Sequence, residues 1–315
     1  MRLSLACNNR CLFCAQDGLA QTSDPTREEV FAALARGRQQ SSEVTLTGGE
    51  PTLATDLEQI ICHARELGFT RVGLQTNGRL LGQAKVLDKL VAAGLTDLHL
   101  SLHGPNAAVH DYHTGVEGSF TALVATLGLA ATRKLPTVVV TVLTRSNARV
   151  LAGIPRLLQQ HRVSAWLIRV PRVAGRAGSR FDALVPRLAM AIPSALHALS
   201  IAQRQRLNTI LDGTPLCLLG PYAHLAIAGD GAGSYPTSCG DCSVRARCPG
   251  FDPHYLARFH GDEASVRQAP PAVQDLNVPA HVLRMLVGVG ELASAQGVLR
   301  AETRREARHA LPVLS

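Results

Sequence analysis

The chain of 315 residues has no uninterrupted apolar run of the length a bilayer requires. Its most apolar long stretch, Ala183 to Ile201, is broken by Pro186, Arg187, Pro193 and His197, so it reads as a soluble helical segment and no membrane partner is expected. No segment combines low hydropathy with dense charge, which excludes long disorder. Aromatic residues make up only 4% and the arginines are scattered. The formal charge of +8 therefore lacks the clustered basic surface and stacking side chains of a nucleic-acid binder, and nucleic acid is not expected as a partner. No signal peptide precedes Cys7, and the eight cysteines are not spaced like those of a small disulfide-stapled domain, so the expected location is the cytoplasm.

The cysteines that are present are informative. Cys7, Cys11 and Cys14 form a C-x3-C-x2-C run, and no fourth cysteine lies nearby, the next being Cys62. Three thiolates from one tight loop can hold three corners of a cubane iron-sulfur cluster and leave one iron without a protein ligand. From these residues alone, a zinc knuckle or a redox thiol set is the competing reading. Cys62, inside the helical pattern Ile60-Ile61-Cys62-His63, reads as an inert packed thiol.

Six short apolar or β-branched runs are expected as strands: Arg2 to Ala6, Glu43 to Thr47, Arg71 to Thr76, Asp97 to Leu102, Thr137 to Leu143 and Ala165 to Val170. Helical patterns lie between them, among them Thr26 to Arg38 and a run from a Thr55 cap to Leu67, closed by Gly68. A further helical stretch is expected to end near Leu211. Repeated strand-helix units imply an α/β fold with parallel pairing, either a partial barrel or a doubly wound sheet. In both layouts ligands gather at the carboxyl ends of the strands. Cys7 to Cys14 follows the first strand, and Gly48-Gly49-Glu50-Pro51 the second. Gln75-Thr76-Asn77-Gly78 closes the third. On the fourth, His99, Ser101 and His103 alternate against Leu98, Leu100 and Leu102 and are expected to face the interior. On the sixth, Arg169 lies opposite Trp166 and Ile168. An inward Arg169 would favour a carboxylate.

These segments together resemble the radical S-adenosylmethionine (SAM) superfamily, with Phe13 before Cys14 and the G-G-E-P segment one unit later as the most specific features. The resemblance implies a partial (β/α)6 TIM-like barrel. It also implies a catalytic [4Fe-4S] cluster on Cys7, Cys11 and Cys14, with SAM on its open iron and an external reductant of flavodoxin or ferredoxin type. Cofactor contacts carried over are Phe13 near the adenine, Gly48, Gly49, Glu50 and Pro51 at the methionyl ammonium, Asn77 near the methionine portion, and Ser101 at the ribose. Asn147 is expected on the adenine side. His99 and His103 receive no transferred role. His110 to Gly115, followed by Gly118-Ser119-Phe120, is similar to a loop of peptide-modifying members and reads as a helix start.

Four cysteines remain: Cys217, then Cys239, Cys242 and Cys248 in C-x2-C-x5-C spacing, with turn residues Gly229 to Pro236 between. Four thiolates can close a metal site, and a structural zinc has the same ligand count. The segment resembles a shortened SPASM or twitch extension, which implies one auxiliary [4Fe-4S] cluster in a small cysteine-rich domain, with Phe251, Tyr255 and Phe259 packed beside it. The expected organisation is a barrel over 1–175, a helical connection over 176–212, the auxiliary domain over 213–262 and helices covering the barrel over 263–315. A peptide is the expected substrate, in a maturase-type modification. No separate leader-binding domain is expected ahead of Cys7, which counts against a peptide. A small molecule or cofactor precursor is the alternative, and RNA a more distant one.

Overall fold

Between Arg27 and Asp212 the strand patterns pair into one sheet and the amphipathic patterns form helices against its outer face. The computed structural model describes residues 1–17, 24–229, 233–265, 268–271 and 276–287. Its strands are β1 (Glu43–Leu46), β2 (Arg71–Thr76), β3 (Asp97–Ser101), β4 (Thr137–Val142), β5 (Ala165–Arg169) and β6 (Asn208–Asp212). The helices are α1 (Arg27–Arg38), α2 (Leu57–Glu66), α3 (Ala84–Ala93), α4 (Ala107–Thr114), α5 (Ser119–Thr132), α6 (Ile154–Gln160), α7 (Gly175–Ser179), α8 (Phe181–Leu184), α9 (Leu188–Arg204), α10 (Pro253–Phe259) and α11 (Ala280–Val287). All five strand pairs are parallel, and spatial order follows chain order from β1 to β6. A doubly wound sheet reverses its order at a switch point. This sheet does not, so it is the partial barrel.

Two expected elements differ. Arg2 to Ala6 is not a full strand: Arg2 makes a single bridge to Thr47, and the chain then departs from the ladder. Conversely, the helical stretch expected to end near Leu211 stops at Arg204. Arg206 turns the chain with φ at 60°, and Asn208–Asp212 enters the sheet beside β5. The alternation of Thr209 and Leu211 outward with Ile210 inward is a strand period that the apolar helix before it hides. The cap of α2 is Asp56 rather than Thr55. At α1, Thr26 and Glu29 form a reciprocal capping box.

The two faces of the sheet have separate cores. Outside, Val72, Leu74, Leu98, Leu100, Val139, Trp166, Ile168 and Leu211 pack with the helices. Inside, Val138, Ala165, Leu167 and Ile210 pack with Ile227 and with Val282 and Met285 of α11. The inner face of β1 to β3 is polar: Arg71 Nη2 lies 2.6 Å from Asp97 and 3.4 Å from Met285 O, and Thr45 and His99 complete the network. Helix α11 thus covers part of the barrel interior. Much of the expected C-terminal helical cover, and residues 230–232 of the turn before Pro236, lie outside the described residues. Half of the most apolar window of the helical run 181–204 is buried inside the structure, as in a core helix.

Candidate active site

Backbone hydrogen bonds suspend the cysteine loop from the mouth of the barrel. Leu3 N–H donates to Thr47 O at 2.8 Å, Gly49 N–H to Ser4 O at 2.8 Å and Glu50 N–H to Ala6 O at 2.7 Å. On the other side, Arg10 N–H donates to Thr114 O at 2.8 Å and Leu12 N–H to His113 O at 3.0 Å, at the end of α4. A Cβ on Gly49 would stand 2.3 Å from Ala6 O and 2.4 Å from Leu5 O, so only glycine lets the loop approach this closely. The two glycines therefore admit the cysteine-bearing segment itself. Gly175 does the same farther on: with φ at 53°, its missing Cβ leaves room for Cys14 O.

Glu50 has a different place from the one expected. It is fully buried, and its carboxylate accepts from Thr52 N–H, the Thr52 and Thr76 hydroxyls and Asn77 N–H, at 2.5 to 3.1 Å. With these donors in place it locks the G-G-E-P turn to the end of β2 instead of reaching into the open space. Pro51, also buried, starts the 3-10 turn Pro51–Leu53 with Glu50 as its cap. Asn77 passes the constraint on: its Nδ2 donates to Asn8 Oδ1 at 2.7 Å, inside the cysteine loop.

Cys7, Cys11 and Cys14 line an open cleft of 460 Å³ at the carboxyl ends of the strands. Of the other expected residues, Phe13, Gly48, Gly49, Asn77, Ser101 and Arg169 line the same cleft. Asn147 does not. It is buried with Nδ2 donating to His103 O and Val142 O and Oδ1 accepting from Thr144 N–H, so its amide joins the ends of β3 and β4. Phe13 meets the His103 ring edge-on, centroids 4.5 Å apart. Ser101 presents a hydroxyl with no partner among the described residues. Arg169 lines the cleft, and Asp212 of β6 holds it at 2.6 Å. His99 is enclosed below the cleft, against Asp97 and Arg71. Arg79 and Arg176, which also hold the loop, were missed because an arginine after a turn carries no distinguishing pattern in one sequence.

The chemistry of the donors fits a cationic cluster. Burial, with Cys7 and Cys14 adding to it, pushes the Cys11 thiol up to about 12. Burial raises Cys7 too, opposed by a hydrogen bond from Asn9 N–H. Left alone, these two thiols keep their protons at neutral pH; bound iron would displace them, so affinity rises with pH.

The second cysteine group converges as well. Cys217, Cys239, Cys242 and Cys248 line one small cavity with Tyr235, Arg245 and Phe251. Burial is the first cause that raises Cys217 and Cys239, and the other thiols of the group raise them further. Gly250 N–H reaches Cys248 Sγ at 3.4 Å, and Tyr235 OH donates to Cys248 O at 2.7 Å. Phe251 stacks on Tyr255, which meets Phe259 edge-on. Among the described residues, no three cysteine, histidine or carboxylate groups stand close enough to chelate one ion, although each cysteine set lines a single cavity.

A singly wound parallel barrel with three cysteines on a loop at its mouth defines an α/β frame with a thiol-lined cleft. Residues 1–148, just under half of the chain, match the Radical SAM superfamily. A GTP 3',8-cyclase of Synechococcus elongatus is 40% identical over 151 residues, 43% of each chain. A probable GTP 3',8-cyclase of Sulfolobus acidocaldarius is 35% identical over 116 residues, 36% of each. The chain thus spans about two-fifths of the length of these relatives. Among solved structures, SuiB of Streptococcus suis bound to S-adenosylmethionine superimposes with a TM-score of 0.56 at 13% identity, covering 70% of this chain and 52% of that one. At this identity the likeness is one of fold.

Proposed function

We propose that this chain is a radical SAM enzyme whose Cys7, Cys11 and Cys14 hold a [4Fe-4S] cluster beside S-adenosylmethionine. When bound, that pair supplies reductive cleavage of the sulfonium to a 5'-deoxyadenosyl radical, which takes a hydrogen atom from substrate after an external flavodoxin or ferredoxin delivers the electron. The observation that carries the reading is the convergence of three thiols, the Gly48-Gly49 turn, Asn77 and Ser101 on one cleft. The chain's own work is binding and orientation. Glu50 fixes the turn on which the cofactor ammonium would rest, Ser101 offers a hydroxyl toward a ribose, and Phe13, edge-on to His103, supplies an aromatic wall of the cleft.

We also propose a second [4Fe-4S] cluster on Cys217, Cys239, Cys242 and Cys248, whose full ligation suits an electron relay rather than substrate binding. A peptide substrate is the first reading. Its support is that the likeness to SuiB reaches past residue 148, and that SuiB has also been solved with its precursor peptide SuiA. The curated relatives named GTP 3',8-cyclase favour a second reading, a small-molecule cofactor precursor. With dithionite and S-adenosylmethionine under anaerobic conditions, the reconstituted chain is expected to release 5'-deoxyadenosine and a Cys11→Ala variant to release none. Equal release from both would sink the proposal. Stimulation by GTP would favour the second substrate reading.

A further inference from the structure

Two arginines from distant parts of the chain meet the cysteine loop at its two halves. Arg79, just past β2, donates from Nη1 to Asn8 O and, at 3.4 Å, to Asn9 Oδ1, both between Cys7 and Cys11. Arg176, in α7 after β5, donates from Nη1 to Cys11 O at 3.3 Å, and its backbone N–H donates to Cys14 O at 3.0 Å. Asp17 at 2.7 Å holds the second nitrogen of Arg176 in place. Arg79 makes no ion pair among the described residues and is only partly exposed. Each guanidinium therefore holds a loop carbonyl, that of Cys11 shared with Cys14 N–H at 3.2 Å, and each brings a positive charge to a segment of three thiols, that of Arg176 partly offset by Asp17.

We propose that Arg79 and Arg176 are positioning residues that clamp the Cys7–Cys14 loop from both halves and hold the cluster at a less negative reduction potential than the three thiolates alone would set. The inference rests on the reading of those cysteines as cluster ligands. Its physical basis is that nearby net charge and hydrogen bonding tune an iron-sulfur potential, since a positive neighbour favours the reduced, more negative cluster. A loop held by carbonyl contacts at Asn8 and Cys11 also keeps its three sulfurs at fixed separations when the cluster is absent, which lowers the entropy lost on loading.

The experiment uses the full chain, reconstituted anaerobically, as Arg79→Gln, Arg176→Gln, Arg79→Lys and Arg176→Lys variants. The readouts are the midpoint potential of the paramagnetic signal that changes on adding S-adenosylmethionine, followed by potentiometric titration, and the iron retained after gel filtration. Both Gln variants are expected to titrate at more negative potential and to retain less iron. The Lys variants, which keep the charge, are expected to stay near the parent potential. Parent-like potential and iron content in both Gln variants would overturn the clamp, as would a Lys variant that follows its Gln counterpart in potential. Should a Gln variant fail to fold, the comparison of its Lys counterpart with the parent decides, because loss of the parent potential with the charge retained contradicts the proposal. If the parent itself shows no signal that responds to S-adenosylmethionine, the cluster reading fails instead, which separates the two outcomes.

Discussion

His110 shows how burial rather than a charged partner sets a side chain's behaviour. Its Nδ1 accepts His103 N–H at 3.1 Å, so the ring is neutral in the native state. Burial pushes it down to about 4, with Asp111 opposing and His113 adding a little. An unfolded histidine titrates near 6.5, so between these values the unfolded chain binds a proton that the native chain excludes. Stability is therefore fully present above about pH 6.5, falls as the pH drops through this window, and levels off below it, at a cost of about 3 kcal/mol for this group. His103 and His113, also lowered by burial, act in the same sense. Urea denaturation at pH 7 and pH 4.5 is expected to show the loss, and His110→Asn, which keeps an acceptor for His103 N–H, is expected to make it smaller. An unchanged difference would mean that His110 is not the titrating group.

Among the elements, α11 has the least expected role. Met285 is 3% exposed and fills the inner face of β4 to β6 with Val282, while Arg71 Nη2 reaches Met285 O. A cation at the last turn of a helix also complements its dipole. Met285→Ala is expected to cost about 2–5 kcal/mol in chemical denaturation, as deletion of a buried side chain that leaves a cavity does. Met190 on α9 is 71% exposed and is the internal comparison: Met190→Ala is expected to stay within about 0.5 kcal/mol of the parent. Equal effects at the two positions would show that α11 is not packed into the barrel.

At the scale of the whole molecule, the chain separates two cysteine sets that differ in ligand count. Three thiols line the large open cleft and four line one small cavity. Anaerobic reconstitution is expected to load about eight irons per chain, four per cubane, and Cys239→Ala about four. Four irons with one zinc in the parent would rule out the second cluster while leaving the first intact.

The sequence by itself determined the strand ends that carry chemistry. Short β-branched runs that end in turn residues placed the cysteine loop, Gly48-Gly49, Asn77 and Ser101 at one end of a parallel sheet, because strand alternation and turn residues are local properties of the chain. Local patterns could not separate the segment Asn208–Asp212 from the helix before it, nor keep Arg2 to Ala6 out of the ladder, since both depend on which neighbour is available to pair. Only the tertiary structure decided the roles of Glu50 and Asn147, two polar residues expected in the cleft whose hydrogen bonds are used up by backbone and hydroxyl partners, among them Thr76, Asn77 and His103 from other strand ends. The same holds for Arg79 and Arg176. A hydrogen bond across long loops leaves no periodic trace in sequence, because its geometry exists only once the strands that deliver its two ends have packed together.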